Sequence, residues 1–256
     1  MRFLTLLATC FAALSASSAS PTLEPRQRAT VYTRCTVART AALTFDDGPY
    51  IYLNDIVNLL DAAGAKGTFF FTALDRQFKW TDDCIYNTGA ASRVKYAYDH
   101  GHQVASHTWA HKDLTTLTWD QIHDEMWRVE QALQRITGAY PAFMRPPYGN
   151  YNTLVQDASG VRGQSIVNWD FDSQDSLGAS AQTSKNLYNS LANNNPNTIL
   201  ALNHETIETT AHQVVAYAIQ RLQSAGYRLV TVAECLGKNP YQSVGQPSPR
   251  DGNWHC

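Results

Sequence analysis

The feature that most constrains this chain is an alternation of short apolar, strand-like runs with longer helical runs, repeated about seven times. The predicted strands are residues 41–45, 67–72, 102–106, 142–144, 165–169, 198–203 and 228–232. The predicted helices are residues 53–63, 93–99, 119–136, 151–158, 182–192 and 211–224. Alternation of this kind builds parallel sheets. We therefore predict a single α/β domain, most simply a (β/α) barrel with about seven parallel strands, and a doubly wound open sheet is the alternative.

The N-terminal residues have the order of a secretory signal peptide. Arg2 precedes a mostly apolar run at residues 3–14, and small residues follow as far as Ser20. The run is shorter than the about 20 apolar residues that cross a bilayer, so we expect cleavage after Ala19 rather than a membrane anchor. Residues 1–19 are thus a predicted signal peptide, and residues 20–30 a short propeptide or flexible segment. We expect a secreted, extracellular protein without membrane association.

The cysteines predict two disulfides in the mature chain. Once the signal peptide is removed, four cysteines remain, and these allow three connectivities. Cys35 precedes the first predicted strand and Cys235 follows the last, so a bond between them would join the two ends of one domain. We prefer this pairing, which leaves Cys84 with Cys256. The domain would then span residues 31–236, with residues 237–256 as an extended tail tethered by a disulfide.

Composition excludes one class of partner. The formal net charge is −2, and 16% of the residues are charged. A general nucleic-acid binder carries a strongly basic surface, so we expect no nucleic-acid partner. A polar surface with few charges suits an extracellular protein that handles neutral polymers. We also expect the protein to be a monomer.

Polar clusters follow five of the predicted strands. They lie at residues 43–49, 106–111, 144–149, 168–175 and 199–204. In a (β/α) barrel the carboxyl ends of all strands meet on one face, where active sites are built. We therefore predict that these clusters form one catalytic site.

The residue types in these clusters suit a metal-dependent hydrolase. His107 and His111 are four residues apart and can bind one metal ion from the same side of a helical turn. A carboxylate from the Asp46–Asp47 pair would complete a catalytic metal site, and the other aspartate would remain free as a base. Arg145 can pair with a carboxylate and keep it ionised.

With these motifs in order, residues 41–235 resemble the polysaccharide deacetylases, the carbohydrate esterases of family four that carry the NodB homology domain. TFDDGP, HTWAH and RPPYG are the specific motifs, and the chain is most similar to secreted fungal chitin deacetylases. The resemblance implies a distorted (β/α) barrel. It also implies one divalent metal, most often zinc, with cobalt or manganese as alternatives.

The resemblance implies a role for each candidate site residue. Asp47, His107 and His111 would ligate the metal. Asp46 would be the general base and His204 the general acid, with Arg145 and Asp175 as their respective partners. The sugar and its acetyl group would meet three residues, the Tyr148 backbone N–H, Trp169 and Leu202.

The implied reaction is hydrolytic N-deacetylation of chitin or chitooligosaccharides, which releases acetate and leaves glucosamine units. The alternatives are an O-acetyl esterase acting on xylan, a peptidoglycan deacetylase and a non-catalytic secreted chitin-binding protein. A glycosidase is disfavoured, because the adjacent Asp46 and Asp47 cannot readily flank a scissile bond. Two departures from the family pattern concern the groove: Ser176 replaces a frequent Trp, and residues 72–80, which include Trp80, lack the usual Asn/Gly-rich loop.

Overall fold

A computed structural model describes residues 28–74 and 84–256. The strands are β1 Val31–Tyr32, β2 Thr40–Asp46, β3 Thr68–Phe71, β4 Gln103–Ser106, β5 Ala139–Pro141, β6 Phe143–Met144, β7 Ser165–Val167, β8 Phe171–Asp172, β9 Ile199–His204, β10 Arg228–Leu229 and β11 Tyr241–Val244. The helices are α1 Leu53–Ala62, α2 Thr88–Asp99, α3 Trp119–Thr137, α4 Thr153–Val161, α5 Ala181–Asn194, α6 Val215–Ser224 and α7 Val232–Leu236. The predicted signal peptide and most of the segment 20–30 lie outside these described residues.

Nine of the strands form one curled sheet whose pairings are all parallel. The order is β1-β7-β6-β4-β3-β2-β9-β8, with β10 also paired to β2. The last long strand, β9, therefore lies beside the first, β2, as it does in a barrel that winds in one direction. Within the described part of the chain the two terminal strands of this order, β1 and β8, do not pair, so the sheet is an open, distorted barrel. The barrel prediction is confirmed, and the doubly wound alternative is wrong.

The core lies on both faces of this sheet. All seven residues of β2 are buried, as expected for a parallel strand that is covered on both sides. Helix α1 buries one apolar face against the sheet, formed by Leu53, Ile56, Val57 and Leu60. Each buried aliphatic side chain of this kind contributes about 1.5–3 kcal/mol to folding. This burial holds the strand ends in fixed positions.

All seven predicted strands and six predicted helices are present, and their boundaries differ for local reasons. Strand β10 stops at Leu229 because the Thr231 side chain accepts the Glu234 N–H and begins helix α7, which the sequence did not predict. Helix α2 begins at Thr88 rather than residue 93, since its first turn buries only small alanines that give a weak periodic signal. A π-helical turn, Thr210–Val214, replaces the predicted first turn of α6.

The two disulfides pair as preferred, Cys35 with Cys235 and Cys84 with Cys256. The C-terminal tail is extended and tethered by the second of these bonds. Its residues Tyr241–Val244 add β11, which pairs antiparallel with β5. This strand was not predicted, because it is too short and polar to show a strand pattern.

Across the described residues, no helix has both the length and the apolar character needed to cross a membrane.

Candidate active site

Strand register brings the polar clusters to one edge of the sheet. Asp46 on β2 lies opposite His204 on β9. Ser106 on β4 pairs with Met144 on β6, so the residues that follow them, His107 and Arg145, are also neighbours. The adjacency follows from parallel pairing, which aligns the carboxyl ends of the strands.

A cavity of about 380 Å³ opens at this edge. Eight of the ten predicted site residues line it: Asp46, Asp47, His107, His111, Tyr148, Trp169, Leu202 and His204. The other two, Arg145 and Asp175, are buried directly behind the lining and contact Asp46 and His204. The structure thus brings all ten predicted residues together.

Asp47, His107 and His111 are buried and can hold one metal ion. The Asp47 Oδ1 atom lies 3.5 Å from His107 Nε2 and 3.4 Å from His111 Nε2. Ligands bound at about 2.0–2.2 Å to a tetrahedral ion lie roughly 3.3–3.6 Å apart. The spacing of the three donor atoms therefore fits a divalent metal such as zinc.

The hydrogen bonding of His107 favours its role as a ligand. Its Nδ1 atom lies 2.7 Å from the Arg145 carbonyl oxygen, which can only accept, so Nδ1 carries the proton and Nε2 keeps its lone pair. Burial lowers the pKa of His107 to about 3, which keeps the ring neutral at physiological pH. Neutral imidazole is the form that binds metal.

Asp46 is held by the buried Arg145. The Arg145 Nη1 atom lies 2.8 Å from Asp46 Oδ1 and 2.7 Å from Thr44 Oγ1. The other guanidinium nitrogens donate to the Val167 and Asn168 carbonyl oxygens, each at 3.0 Å. These two carbonyls belong to the last residue of β7 and the residue that follows it. The guanidinium therefore fixes one Asp46 oxygen and leaves Oδ2 facing the metal triad, 3.6 Å from His107 Nε2.

Backbone strain is concentrated in the same segments. Asp47, His111 and Tyr148 all have positive φ angles, of 74°, 51° and 60°. Non-glycine residues adopt this conformation at a cost, so it persists only where the surroundings impose it, most often at functional sites. The site is therefore stabilised by the fold around it rather than by local preference.

His204 and Asp175 form an ion pair beside the metal triad. His204 Nδ1 lies 2.8 Å from Asp175 Oδ1, and Asp175 Oδ2 accepts both the His204 N–H and the Thr210 hydroxyl. Burial alone lowers the pKa of His204, but the hydrogen bond to Asp175 and the charges of Asp175 and Asp47 outweigh it and raise the pKa to about 9. Nε2, which is 4.0 Å from Asp47 Oδ2, therefore carries a proton towards the metal triad at neutral pH.

Tyr148, Trp169 and Leu202 form walls of the cavity. The Tyr148 ring is 50% exposed and meets the His111 ring edge-on. Trp169 packs so closely on Gly149 that an added Cβ would lie 2.8 Å from the indole, which explains the glycine at this position. Leu202 is buried in the cavity lining. These three residues give the cavity an apolar surface beside the charged groups.

Sequence reasoning missed several residues of this site. Leu177 is 75% exposed and lines the cavity. It directly follows Ser176, which stands where relatives frequently have Trp, so this part of the wall still carries an apolar side chain. Asp172 also lines the cavity, and Glu205 is buried beneath the Asp46–Asp47 loop. Asp172 lies within the predicted polar cluster at residues 168–175, whereas no sequence signal marked Glu205. Trp80 lies outside the described residues.

Comparisons with known proteins agree with this geometry. The family model described as polysaccharide deacetylase matches residues 33–166. A chitin deacetylase from Pestalotiopsis sp is 36% identical over 272 residues, covering 96% of this chain and 86% of that protein. A chitin deacetylase from Colletotrichum lindemuthianum is 33% identical over 248 residues, covering 94% of this chain and 98% of that protein.

The fold is similar as well. The solved structure of the chitin deacetylase from Colletotrichum lindemuthianum superposes with a TM-score of 0.78 and 29% sequence identity, covering 86% of this chain and 96% of that one. The family match spans the TFDDGP, HTWAH and RPPYG motifs that carried the resemblance. This chain therefore belongs to the polysaccharide deacetylase family.

Proposed function

We propose that this enzyme hydrolyses the N-acetyl groups of chitin or chitooligosaccharides, releasing acetate and leaving glucosamine units. One observation carries the proposal: a buried triad that can hold a metal ion has two further groups beside it, the carboxylate of Asp46 and the protonated ring of His204. A base and an acid beside one metal site are what amide hydrolysis requires. The similarity to two fungal chitin deacetylases supports chitin as the substrate.

Asp47, His107 and His111 would hold one divalent ion, which we propose is zinc. Such an ion supplies Lewis acidity to the acetyl carbonyl and lowers the pKa of a bound water molecule. His107 is neutral and donates its Nδ1 proton to the Arg145 carbonyl, so the lone pair on Nε2 is available to the metal. Cobalt or manganese would suit the same mixed nitrogen and oxygen donors.

Asp46 would accept the proton of the attacking water. Its Oδ1 atom is fixed by Arg145, so Oδ2 is the oxygen available to the proton. The buried guanidinium prevents rotation of the carboxylate and balances its charge. Arg145 thereby acts as a positioning residue for the base.

His204 would donate a proton to the departing sugar amine, which is a very poor leaving group when unprotonated. Asp175 holds the proton on Nδ1 and orients the ring, so Nε2 carries the transferable proton. The backbone N–H of Tyr148 would donate to the oxyanion that forms when the carbonyl is attacked. Its positive φ angle sets the direction of that peptide group.

The cavity walls would bind the sugar and its acetyl group. The Trp169 face suits the apolar side of a pyranose ring, and buried Leu202 would contact the acetyl methyl. The two disulfides suit an oxidising compartment, so we propose that the enzyme acts outside the cell. We also propose that it acts as a monomer, since all ten site residues come from one chain.

The test is acetate release from N-acetylglucosamine oligomers of graded length and from acetylated xylan. The protein is assayed after metal removal, after zinc restoration, and as the Asp46→Asn variant. We expect zinc-dependent acetate from the oligomers that the substitution abolishes. Acetate from xylan alone would instead establish an O-acetyl esterase, and no acetate from either substrate by folded, zinc-loaded protein would contradict the proposal.

A further inference from the structure

Glu205, directly after His204, carries a buried carboxyl group with no role in the steps above. It is 0% exposed. Its Oε1 atom accepts the Tyr50 backbone N–H at 2.6 Å, while Oε2 has no hydrogen-bond partner among the described residues. Its own backbone N–H donates to the Asp46 carbonyl at 3.3 Å. Glu205 therefore contacts both ends of the 46–50 turn, the segment that carries Asp46 and Asp47.

The 46–50 turn packs directly on the Glu205 carboxyl group, and this packing requires glycine at position 48. A Cβ added at Gly48 would overlap the Glu205 carboxyl, so only glycine lets the turn lie on it. Two further contacts hold the turn from other sides. The Thr72 N–H donates to the Gly48 carbonyl at 2.9 Å, and an Arg93 nitrogen donates to the Pro49 carbonyl at 3.2 Å. Removal of the carboxyl group would leave a void under the turn and an unsatisfied Tyr50 N–H.

The buried carboxyl group of Glu205 lowers the stability of the folded protein. Burial raises its pKa to about 8, against the opposing hydrogen bond from Tyr50 and the charge of Arg93. A buried carboxyl with an unsatisfied oxygen destabilises a fold, and such groups are retained mainly where they serve a site. Asp47 adopts a positive φ within this turn, so its conformation depends on external contacts of this kind.

We propose that Glu205 is a positioning residue that fixes the 46–50 turn, and through it the metal-ligating Asp47 and the base Asp46. The inference rests on the proposed function for the roles of these two aspartates. Its mechanism is local: the acceptor Oε1 and the volume of the carboxyl group set the path of the backbone under Gly48. Glu205 needs no contact with substrate to act in this way.

The test compares two substitutions of similar length. Glu205→Gln keeps an acceptor oxygen for the Tyr50 N–H, whereas Glu205→Met fills the space without an acceptor. We expect the Gln variant to keep its zinc dissociation constant and kcat within about threefold of the unsubstituted enzyme. The Met variant should bind zinc about 10-fold more weakly, comparable to the loss of an outer contact to a metal ligand, and lose about 10-fold or more in kcat with little change in KM.

Glu130→Gln is the matched control. Glu130 is also a fully buried carboxylate, paired with Arg162 away from the cavity, so its loss lowers the unfolding temperature without reaching the turn. We expect unchanged zinc affinity and kcat in this variant. Zinc affinity is measured by competition with a chelator, on protein shown to be folded by circular dichroism. It reports on the turn even if chitin oligomers prove not to be substrates, so the two proposals fail separately.

Two results would overturn the inference. One is a folded Glu205→Met protein with unchanged zinc affinity and kcat. The other is a Gln variant as defective as the Met variant, because the acceptor would then not be the operative feature. If the Met variant does not fold, Gly48→Ala is the substitute, since its methyl group displaces the turn from an intact Glu205. Weaker zinc binding in Gly48→Ala supports the inference, and unchanged binding overturns it.

Discussion

Replacement of Arg145 by lysine tests how the buried guanidinium holds the site. The side chain is 0% exposed and donates to Asp46 Oδ1, Thr44 Oγ1 and the carbonyls of Val167 and Asn168. A lysine ammonium keeps the charge, but its single nitrogen cannot contact all four partners at once. The carbonyls of Val167 and Asn168 therefore lose the donor that Arg145 supplies. Each buried polar group left unsatisfied costs about 1–3 kcal/mol, which gives a loss of about 2–6 kcal/mol in the free energy of unfolding.

The same substitution should lower activity. Without the Nη1 contact, the Asp46 carboxylate is free to rotate away from the metal triad, and a misplacement of about 1 Å can reduce kcat about 100-fold. Unfolding in urea measures the stability change, and acetate release at saturating zinc measures kcat. Both assays use the same protein preparation.

Arg162→Lys is the control for a general loss of stability. Arg162 pairs with the buried Glu130, with Nε 2.7 Å from Oε1, away from the catalytic cavity. We expect it to lower the free energy of unfolding while kcat stays within about twofold. The reasoning is refuted if Arg145→Lys keeps both its stability and kcat, or if Arg162→Lys loses as much kcat as Arg145→Lys.

Three further predictions concern the acid, the metal and the framework. His204 must be protonated to act as the proposed acid, so kcat/KM should fall as pH rises through its pKa of about 9. Asp175→Asn removes the partner that raises this pKa and should move the fall to lower pH; an unmoved alkaline limb would contradict the assignment. His111→Ala should weaken zinc binding at least about 100-fold, measured by chelator competition, because one of the three proposed protein ligands is lost. Near-native zinc affinity would exclude the triad as the metal site. Cys35 and Cys235 are 200 residues apart, so loss of their disulfide should lower the free energy of unfolding by about 3–5 kcal/mol in urea titrations. The folded protein should retain its kcat. A loss below about 1 kcal/mol would show that the bond does not restrain the unfolded chain.

The barrel was predictable because its signals are periodic. Strands such as β2 and β9 are continuous apolar runs, and helix α1 shows a clear apolar face. Strands β1 and β8 have two residues each and form through tertiary pairing, so their sequences carry too little pattern. The gap between β1 and β8 was unpredictable for the same reason, since it depends on how the sheet curls.

The site was predictable where its residues lie next to strand ends or at fixed spacing. His107 and His111 show the spacing of a metal pair, and Asp46 directly ends a strand. The contact between His204 and Asp175 is different, because 29 residues separate them and only the resemblance to a family implied their pairing. Glu205 showed no signal, since its significance lies in burial under a turn that is distant in sequence.

The most direct test of the account is one measurement on Asp46→Asn: zinc content and acetate release from a chitin oligomer in the same sample. Asn keeps the size of the side chain, while the proposed ligands Asp47, His107 and His111 are untouched. The account predicts one zinc per chain, with acetate release reduced about 100- to 10,000-fold through loss of the general base. A zinc-loaded variant that keeps more than about a tenth of the activity would contradict the assignment of Asp46 as the base, and a variant that loses its zinc would contradict the division of roles between Asp46 and Asp47.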